Sequence, residues 1–184
     1  MASIIKANEL QDFGGNSIIT SDGSGTITLS SGMNTAVQSA GATNTPAFRA
    51  FANANFTVAN TTFEKIPFNA ESFDTASAFN TSTNAFTVPS GQAGKYFISV
   101  GCRKNNARAD RFLLDLRVND TGVLDSETGS YGNYGVSIGN IIISLSVGDV
   151  VNAYVYHNLG SNLTFRGTSD GKDTFLQGYK IIGA

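Results

Sequence analysis

Side chains that commonly act in catalysis or metal binding are scarce in this chain of 184 residues. It contains one histidine, His157, and one cysteine, Cys102. A structural or catalytic metal site needs three or four ligands, and neither residue has a second of its kind to join it. Both fall on the apolar face of a predicted strand, so we interpret His157 as a structural histidine and Cys102 as a core residue. We therefore do not expect an enzyme.

Two glycine-rich stretches match the sequence patterns of functional motifs but lack the secondary structure that those motifs require. Residues 167–171, GTSDG, fit the G-x-S-x-G pattern, but a nucleophile elbow requires a helix directly after it, and none is predicted. Residues 129–135, GSYGNYG, likewise lack the following helix that would bind a phosphate. Tyrosines among small polar residues are typical of recognition loops, so Tyr131, Asn133 and Tyr134 are candidate receptor-binding residues. A merely flexible turn is the alternative.

Basic residues form a second candidate site for receptor binding. Five of the twelve lysines and arginines lie within fifteen positions: Arg103, Lys104, Arg108, Arg111 and Arg117. Such a cluster attracts anionic groups, so we take Arg103, Lys104 and Arg108 as candidates for contact with glycans on a cell surface. A solvated strand edge, or pairing with acidic residues of a neighbouring subunit, are the alternatives.

Composition excludes several classes of function. The net charge of −2 argues against nucleic acid as a partner, and no apolar run approaches the length of a membrane span. The first residues show no secretory signal, which together with the single cysteine predicts a protein made and released in the cytoplasm. Asp120, Asp125 and Glu127 suggest calcium but lack an EF-hand-like spacing. Calcium is left open, and no other cofactor is expected.

The elements that position these residues are predicted to be short antiparallel strands. In residues 95–103, Tyr96, Ile98, Val100 and Cys102 share one face, while Phe97 points to the other. Pro89 ends the preceding strand, and glycines supply the turn between them. Eight to ten such strands predict an all-β sandwich with no internal repeat. Similar alternation occurs at residues 63–68, 111–118, 140–147, 151–159 and 175–182.

Residues 1–45 differ in character from residues 46–184, so we predict an N-terminal docking arm with a linker, followed by a globular head. Asp22-Gly23 lies between two β-like runs and predicts a short hairpin, which is marginal alone in water. Residues 31–45 are small and polar, as in a linker. A frayed terminus is the alternative. The candidate particle-docking residues are apolar: Ile4, Ile5, Leu10, Phe13, Ile18 and Ile19.

Motifs in residues 46–184 follow the order seen in one known family. They include PAF at 46–48, FTVP at 86–89 with GKYF at 94–97, LSVGDV at 145–150 and a closing strand from residue 175. The head thus resembles the complement globular-head family, the C1q-like and tumour-necrosis-factor-like jelly roll. This resemblance implies a compact homotrimer, and apolar residues on both faces of the strands around Phe97 and Ile142 also call for extra cover. The candidate trimer contacts are Phe97, Ile142, Tyr154, Tyr156 and Tyr179.

The N-terminal segments IIKANEL and GGNSIITSDGSGTITL resemble those of fibre and other virion proteins of tailed phages, especially marine ones. Together with the head, they predict a non-enzymatic fibre, spike or capsid-decorating protein that is assembled in the host cytoplasm and resides in the virion. Its arm is expected to dock to other virion proteins, and its head to bind a glycan or protein of the host surface. The alternative is a carbohydrate- or protein-binding module of a cellular organism.

Overall fold

The computed structural model describes residues 8–24, 26–33, 44–105, 111–129 and 135–181. The chain separates into two compact units, one within residues 1–43 and one within residues 44–182. The first is called the arm unit and the second the head. Among the described residues, no helix has the length and apolar character needed to cross a membrane.

The arm unit is a three-stranded antiparallel sheet of β1 (Glu9–Gln11), β2 (Ser17–Ser21) and β3 (Ile27–Leu29), paired in that order. The hairpin predicted at Asp22-Gly23 is confirmed as β2 and β3. Its turn is held by the Asp22 carboxylate, which accepts the backbone N–H groups of Ser24 and Thr26 at 2.8 and 3.1 Å. Strand β1 was not predicted, because its three residues are too few to show a period.

The described part of the head is built from short strands, two of them ten residues long. They are β4 (Ala47–Phe51), β5 (Phe56–Val58), β6 (Glu64–Lys65), β7 (Ala70–Asp74), β8 (Phe79–Asn80), β9 (Ala85–Thr87), β10 (Gly94–Arg103), β11 (Arg111–Val118), β12 (Thr121–Gly129), β13 (Val136–Leu145), β14 (Val150–His157), β15 (Leu163–Phe165) and β16 (Phe175–Lys180).

These strands form two antiparallel sheets and a small ribbon. Sheet I has the order β13-β10-β16-β4-β7. Sheet II has the order β12-β11-β14-β9-β8, with β6 paired to a further part of β14. The ribbon consists of β5 and β15. The predicted all-β antiparallel sandwich is therefore confirmed.

The core lies between the two sheets and is rich in aromatic rings. The ring of Phe86 stacks on Phe48 at 4.4 Å between centroids and packs against Tyr96 at 5.8 Å. The predicted inward face of β10 is confirmed, because Tyr96, Ile98, Val100 and Cys102 are all buried. Strands β9 and β10 are consecutive in the chain but lie in different sheets. Between them the chain turns at Gly91, whose φ of 74° favours glycine.

Element boundaries differ from the predictions at several places. The strand predicted at residues 63–68 is reduced to β6, since Pro67 cannot donate to a ladder, although Ile66 and Phe68 are buried. Strand β13 begins at Val136 rather than at residue 140. Strands β5 and β7 were not predicted, because neither has an alternation long enough to stand out from its polar neighbours.

Candidate interaction surfaces

The outward face of sheet I carries a row of apolar side chains. Phe97 on β10 lies directly opposite Ile142 on β13 and Tyr179 on β16. The rings of Phe97 and Tyr179 are 5.4 Å apart, while Ile142 and Tyr179 are 63% and 41% exposed. The register of three adjacent strands therefore unites three of the predicted trimer-contact residues. We call Phe97, Ile142 and Tyr179 the apolar row.

The apolar row continues on both sides. Along β13, the two-residue period places Val136 and Ile138 on the same face as Ile142, with 46% and 53% of their surface exposed. On the other side, Phe73 of β7 lines a groove of about 310 Å³ together with Phe97 and Tyr179. Asn140 lies between Ile138 and Ile142 on this face, so the exposed apolar side chains form two neighbouring patches. Exposed apolar patches of this kind are typical of interaction sites.

The structure does not bring Tyr154 and Tyr156 to the apolar row. Both lie on the outward face of sheet II, since β14 turns Val151, Ala153 and Val155 towards the core. The five residues predicted as trimer contacts therefore do not form one surface. Alternation along a strand shows which residues share a face, but not to which sheet that strand belongs.

Instead, the two tyrosines belong to a surface built with arginines. The guanidinium of Arg117 lies 4.1 Å from the ring centre of Tyr154 and 5.2 Å from that of Phe63. The rings of Phe63 and Tyr156 are 5.0 Å apart, and Arg111 lies 5.6 Å from the Tyr156 ring. Both distances to Arg117 are within the range of cation–π attraction. We call Phe63, Tyr154, Tyr156, Arg111 and Arg117 the aromatic–arginine surface.

Carboxylates hold these arginines in place. Asp115 pairs with Arg117 at 2.6 Å, and Glu127 pairs with Arg111 at 3.1 Å. Asp125 lies opposite Asp115 across β11 and β12. Burial raises the pKa of Asp115 above its ordinary value, against the hydrogen bond from Arg117, which lowers it. The outward face of sheet II is thus a network of charged and aromatic groups in fixed positions.

The predicted basic receptor site is corrected in part. Lys104 is only 1% exposed, and its backbone forms an isolated antiparallel β-bridge with Phe165. Its side chain packs closely on Gly135, where an added Cβ would lie 2.5 Å from the Lys104 side chain. It cannot reach a ligand from this position. Arg103 pairs at 2.8 Å with Asp173, a carboxylate that also binds Arg166 at 2.7 Å. Its charge is therefore engaged within the head.

Other predicted receptor-binding residues lie outside the described part of the chain. These are Arg108, Tyr131, Asn133 and Tyr134. Their assignment stays a prediction.

Most of the apolar side chains of the arm unit's strands lie on one face of its sheet. Leu10, Ile19 and Leu29 lie side by side across its three strands, and Ile27 follows on the same face. Leu10 and Ile27 are 55% and 65% exposed. Of the other predicted docking residues, Ile18 points to the opposite face and Phe13 lies exposed in the turn after β1. Ile4 and Ile5 are outside the described residues.

His157 and Cys102 are buried and are held by the head itself. The Nε2 of His157 contacts the Val58 carbonyl oxygen at 3.0 Å, and its Nδ1 accepts the N–H of Leu159 at 3.3 Å. Burial raises the pKa of the Cys102 thiol to about 12, and the Thr174 hydroxyl is its neighbour at 3.8 Å. Both residues have the structural surroundings that were predicted for them.

No metal centre is formed by the described residues. None of their His, Cys, Asp or Glu side chains gather in a group of three or more that could hold an ion. The calcium site suggested by Asp120, Asp125 and Glu127 therefore gains no support from the geometry.

The head is similar to known jelly-roll structures. The globular domain of zebrafish complement 1qA protein matches with a TM-score of 0.53 and 20% identity, over 74% of this chain and 97% of that chain. Eiger TNF from S. frugiperda matches with a TM-score of 0.57 and 13% identity, over 75% and 93%. PRD1 vertex protein P5 matches with a TM-score of 0.56 and 14% identity, over 73% and 96%.

These likenesses define the class of fold. The head is a C1q- and TNF-like jelly-roll sandwich, as its motifs predicted. No family model matches the sequence, and the comparison with curated proteins found no match.

Proposed function

We propose that the protein is a homotrimeric, non-enzymatic component of a phage virion: a fibre, spike or capsid-decorating protein. Its arm unit docks to another virion protein, and its head projects from the particle and binds the host cell surface. It is assembled in the host cytoplasm and then resides in the virion. The observation that carries this proposal is the apolar row on the outward face of sheet I, which calls for cover by other protomers.

Self-association is supported by the character of that face. Ile142 is 63% exposed on β13, the edge strand of sheet I, beside Phe97, and Val136 and Ile138 are further exposed apolar residues along β13. Interfaces between protomers are enriched in aromatic residues and depleted of charge at their centres. The apolar row meets both conditions, because Phe97 and Tyr179 are its aromatic members and no charged side chain belongs to it.

Docking to the particle is supported by the two-faced arm unit. Its strands are only three to five residues long. Small sheets of this kind need a hydrophobic face packed against something else to be stable. Leu10, Ile19, Ile27 and Leu29 supply such a face, while Thr20 and Thr28 lie on the other.

A role in a virion is supported by two likenesses. The N-terminal segments resemble those of tailed-phage virion proteins, and the head has the fold of a protein named as a vertex protein, PRD1 P5.

The test is incorporation into particles. We would produce particles carrying the double variant Ile19→Asp and Leu29→Asp, which places charge on the apolar face of the arm unit. The matched control is Thr20→Asp with Thr28→Asp, on the opposite face of the same two strands. We expect the first variant to be absent from purified particles and the control to be retained. Equal incorporation of both variants would refute docking through this face.

A second candidate function is a protein- or carbohydrate-binding module of a cellular organism. It is favoured by the likeness of the head to the zebrafish complement 1qA domain and to Eiger TNF. Purified particles distinguish the two functions. Absence of the unaltered chain from particles made in cells that express it would favour the cellular module.

A further inference from the structure

We propose that the aromatic–arginine surface on sheet II is a binding site for an uncharged oligosaccharide. This inference deepens the proposed host-binding role of the head and rests on it. It assigns that role to Phe63, Tyr154, Tyr156, Arg111 and Arg117. Arg111 and Arg117 belong to the basic cluster that the sequence predicted as a candidate receptor site, whereas the three aromatic residues were not predicted as receptor contacts.

The first argument is the aromatic platform. Phe63 precedes β6, the short strand that pairs with β14, so its ring lies beside Tyr156 at 5.0 Å with an interplanar angle of 35°. Phe63 is 43% exposed, and Tyr156 is half-buried. The face of an aromatic ring is electron-rich, whereas the C–H groups on one face of a pyranose ring carry a small positive charge. Two adjoining rings therefore offer a stacking surface for a sugar.

The second argument is that the platform is held rigidly before any ligand arrives. The guanidinium of Arg117 contacts the rings of both Tyr154 and Phe63 and is bound by Asp115 at 2.6 Å. The side chains of Arg117 and Asp115 are only 22% and 7% exposed. Groups fixed in this way lose little conformational entropy on binding, which favours affinity for a ligand with few strong contacts.

The third argument is the balance of charge, which selects an uncharged ligand. Among the described residues, the outward face carries three basic residues, Arg111, Arg117 and Lys65, against three acidic residues, Asp115, Asp125 and Glu127. Sulfated or uronate polymers would meet as many repelling as attracting groups. The exposed pair of Arg111 and Glu127, whose side chains are 48% and 51% exposed, can instead donate to and accept from hydroxyl groups at the edge of the rings.

The same charges argue against a second copy of this chain as the occupant. Covering this face with protein would remove six charged side chains from water, and the centres of protein interfaces are depleted of charge. A hydroxyl-rich ligand keeps those groups hydrogen-bonded. The apolar row on sheet I is the better surface for protomer contact.

The test uses the full chain and a panel of immobilised oligosaccharides. The uncharged probes are hexasaccharides of glucose, mannose and galactose, and a heparin-derived hexasaccharide is the anionic comparator. The decisive variant is Phe63→Ala. Its matched control is Val147→Ala, which truncates an apolar side chain of similar exposure, 51%, in the turn between β13 and β14. The solution mass of each variant is measured alongside, to confirm that the fold and assembly are unchanged.

We expect an uncharged probe to bind the unaltered chain, and Phe63→Ala to weaken that binding by about tenfold or more, as truncation of a central aromatic contact does. Val147→Ala should bind as the unaltered chain does. The proposal is overturned if no uncharged probe binds, if only the heparin probe binds, or if Phe63→Ala leaves binding unchanged. A loss of assembly with Phe63→Ala but not with Val147→Ala would also overturn it, by assigning the face to protomer contact. Incorporation into particles is measured separately, so failure here leaves the virion proposal standing.

Discussion

Replacing Ile142 by serine should strongly weaken the proposed trimer. Ile142 is 63% exposed in one protomer and lies on the outward face of β13, the edge strand of sheet I, opposite Phe97. Burying a whole isoleucine side chain contributes about 1.5–3 kcal/mol, so covering the exposed share contributes roughly 1–2 kcal/mol per protomer. Three protomers lose roughly 3–6 kcal/mol together, which lowers the association constant of the trimer by roughly 10²- to 10⁴-fold.

The assay is sedimentation velocity or mass photometry over a dilution series from micromolar to nanomolar protein. The unaltered chain should remain trimeric at dilutions where Ile142→Ser has become monomeric. Val147→Ser is the matched control, because Val147 is 51% exposed but lies in the turn between β13 and β14. The reasoning is refuted if Ile142→Ser and Val147→Ser dissociate at the same concentration, or if the unaltered chain is monomeric throughout.

Three further predictions concern the head alone. The Cys102 thiol, buried and with its pKa raised to about 12, should react with Ellman's reagent at mildly alkaline pH only after the protein is unfolded in urea; rapid reaction of the native chain would contradict this. Replacing His157 by phenylalanine strands the Val58 carbonyl oxygen and should lower the free energy of unfolding by about 1–3 kcal/mol, measured by urea denaturation; an unchanged midpoint would show that the ring's hydrogen bonds contribute nothing. Because burial raises the folded-state pKa of Asp115 above the unfolded value, its contribution to stability is full at acid pH and is lost as pH rises through the folded pKa. The free energy of unfolding of Asp115→Asn, measured by urea denaturation, should therefore fall less between acid and neutral pH than that of the unaltered chain. An equal fall in the two proteins would refute this.

Local pattern was sufficient to predict the longer strands of the head and their faces. In β11, the prediction of residues 111–118 matches the observed Arg111–Val118, and its inward residues Phe112, Leu114 and Leu116 are buried. The physical reason is that side chains alternate between the two faces of a strand. When one face packs on the core, apolar residues therefore recur at every second position of the sequence.

Pairing between distant strands could not be predicted in the same way. Phe97, Ile142 and Tyr179 come together only because β10 pairs with β13 and β16, whereas Tyr154 belongs to the other sheet. The burial of Lys104 depends similarly on Phe165 and Gly135, which are remote in the chain. Phe63 gave no functional signal in the sequence, because Tyr156 on β14 and Arg117 on β11 reach it only through the pairing of β14 with both β6 and β11.

The position of β16 has a consequence for how the head is made in the cell. This strand lies between β10 and β4, and Gly178 sits so tightly there that an added Cβ would be 2.6 Å from the Ile98 side chain. A ribosome releases β4 and β10 long before β16, so during synthesis sheet I lacks its middle strand and both of its halves expose unpaired edges. Folding of the head must therefore wait for translation to pass residue 180. A chain cut short before β16 should aggregate through those edges rather than form a smaller head.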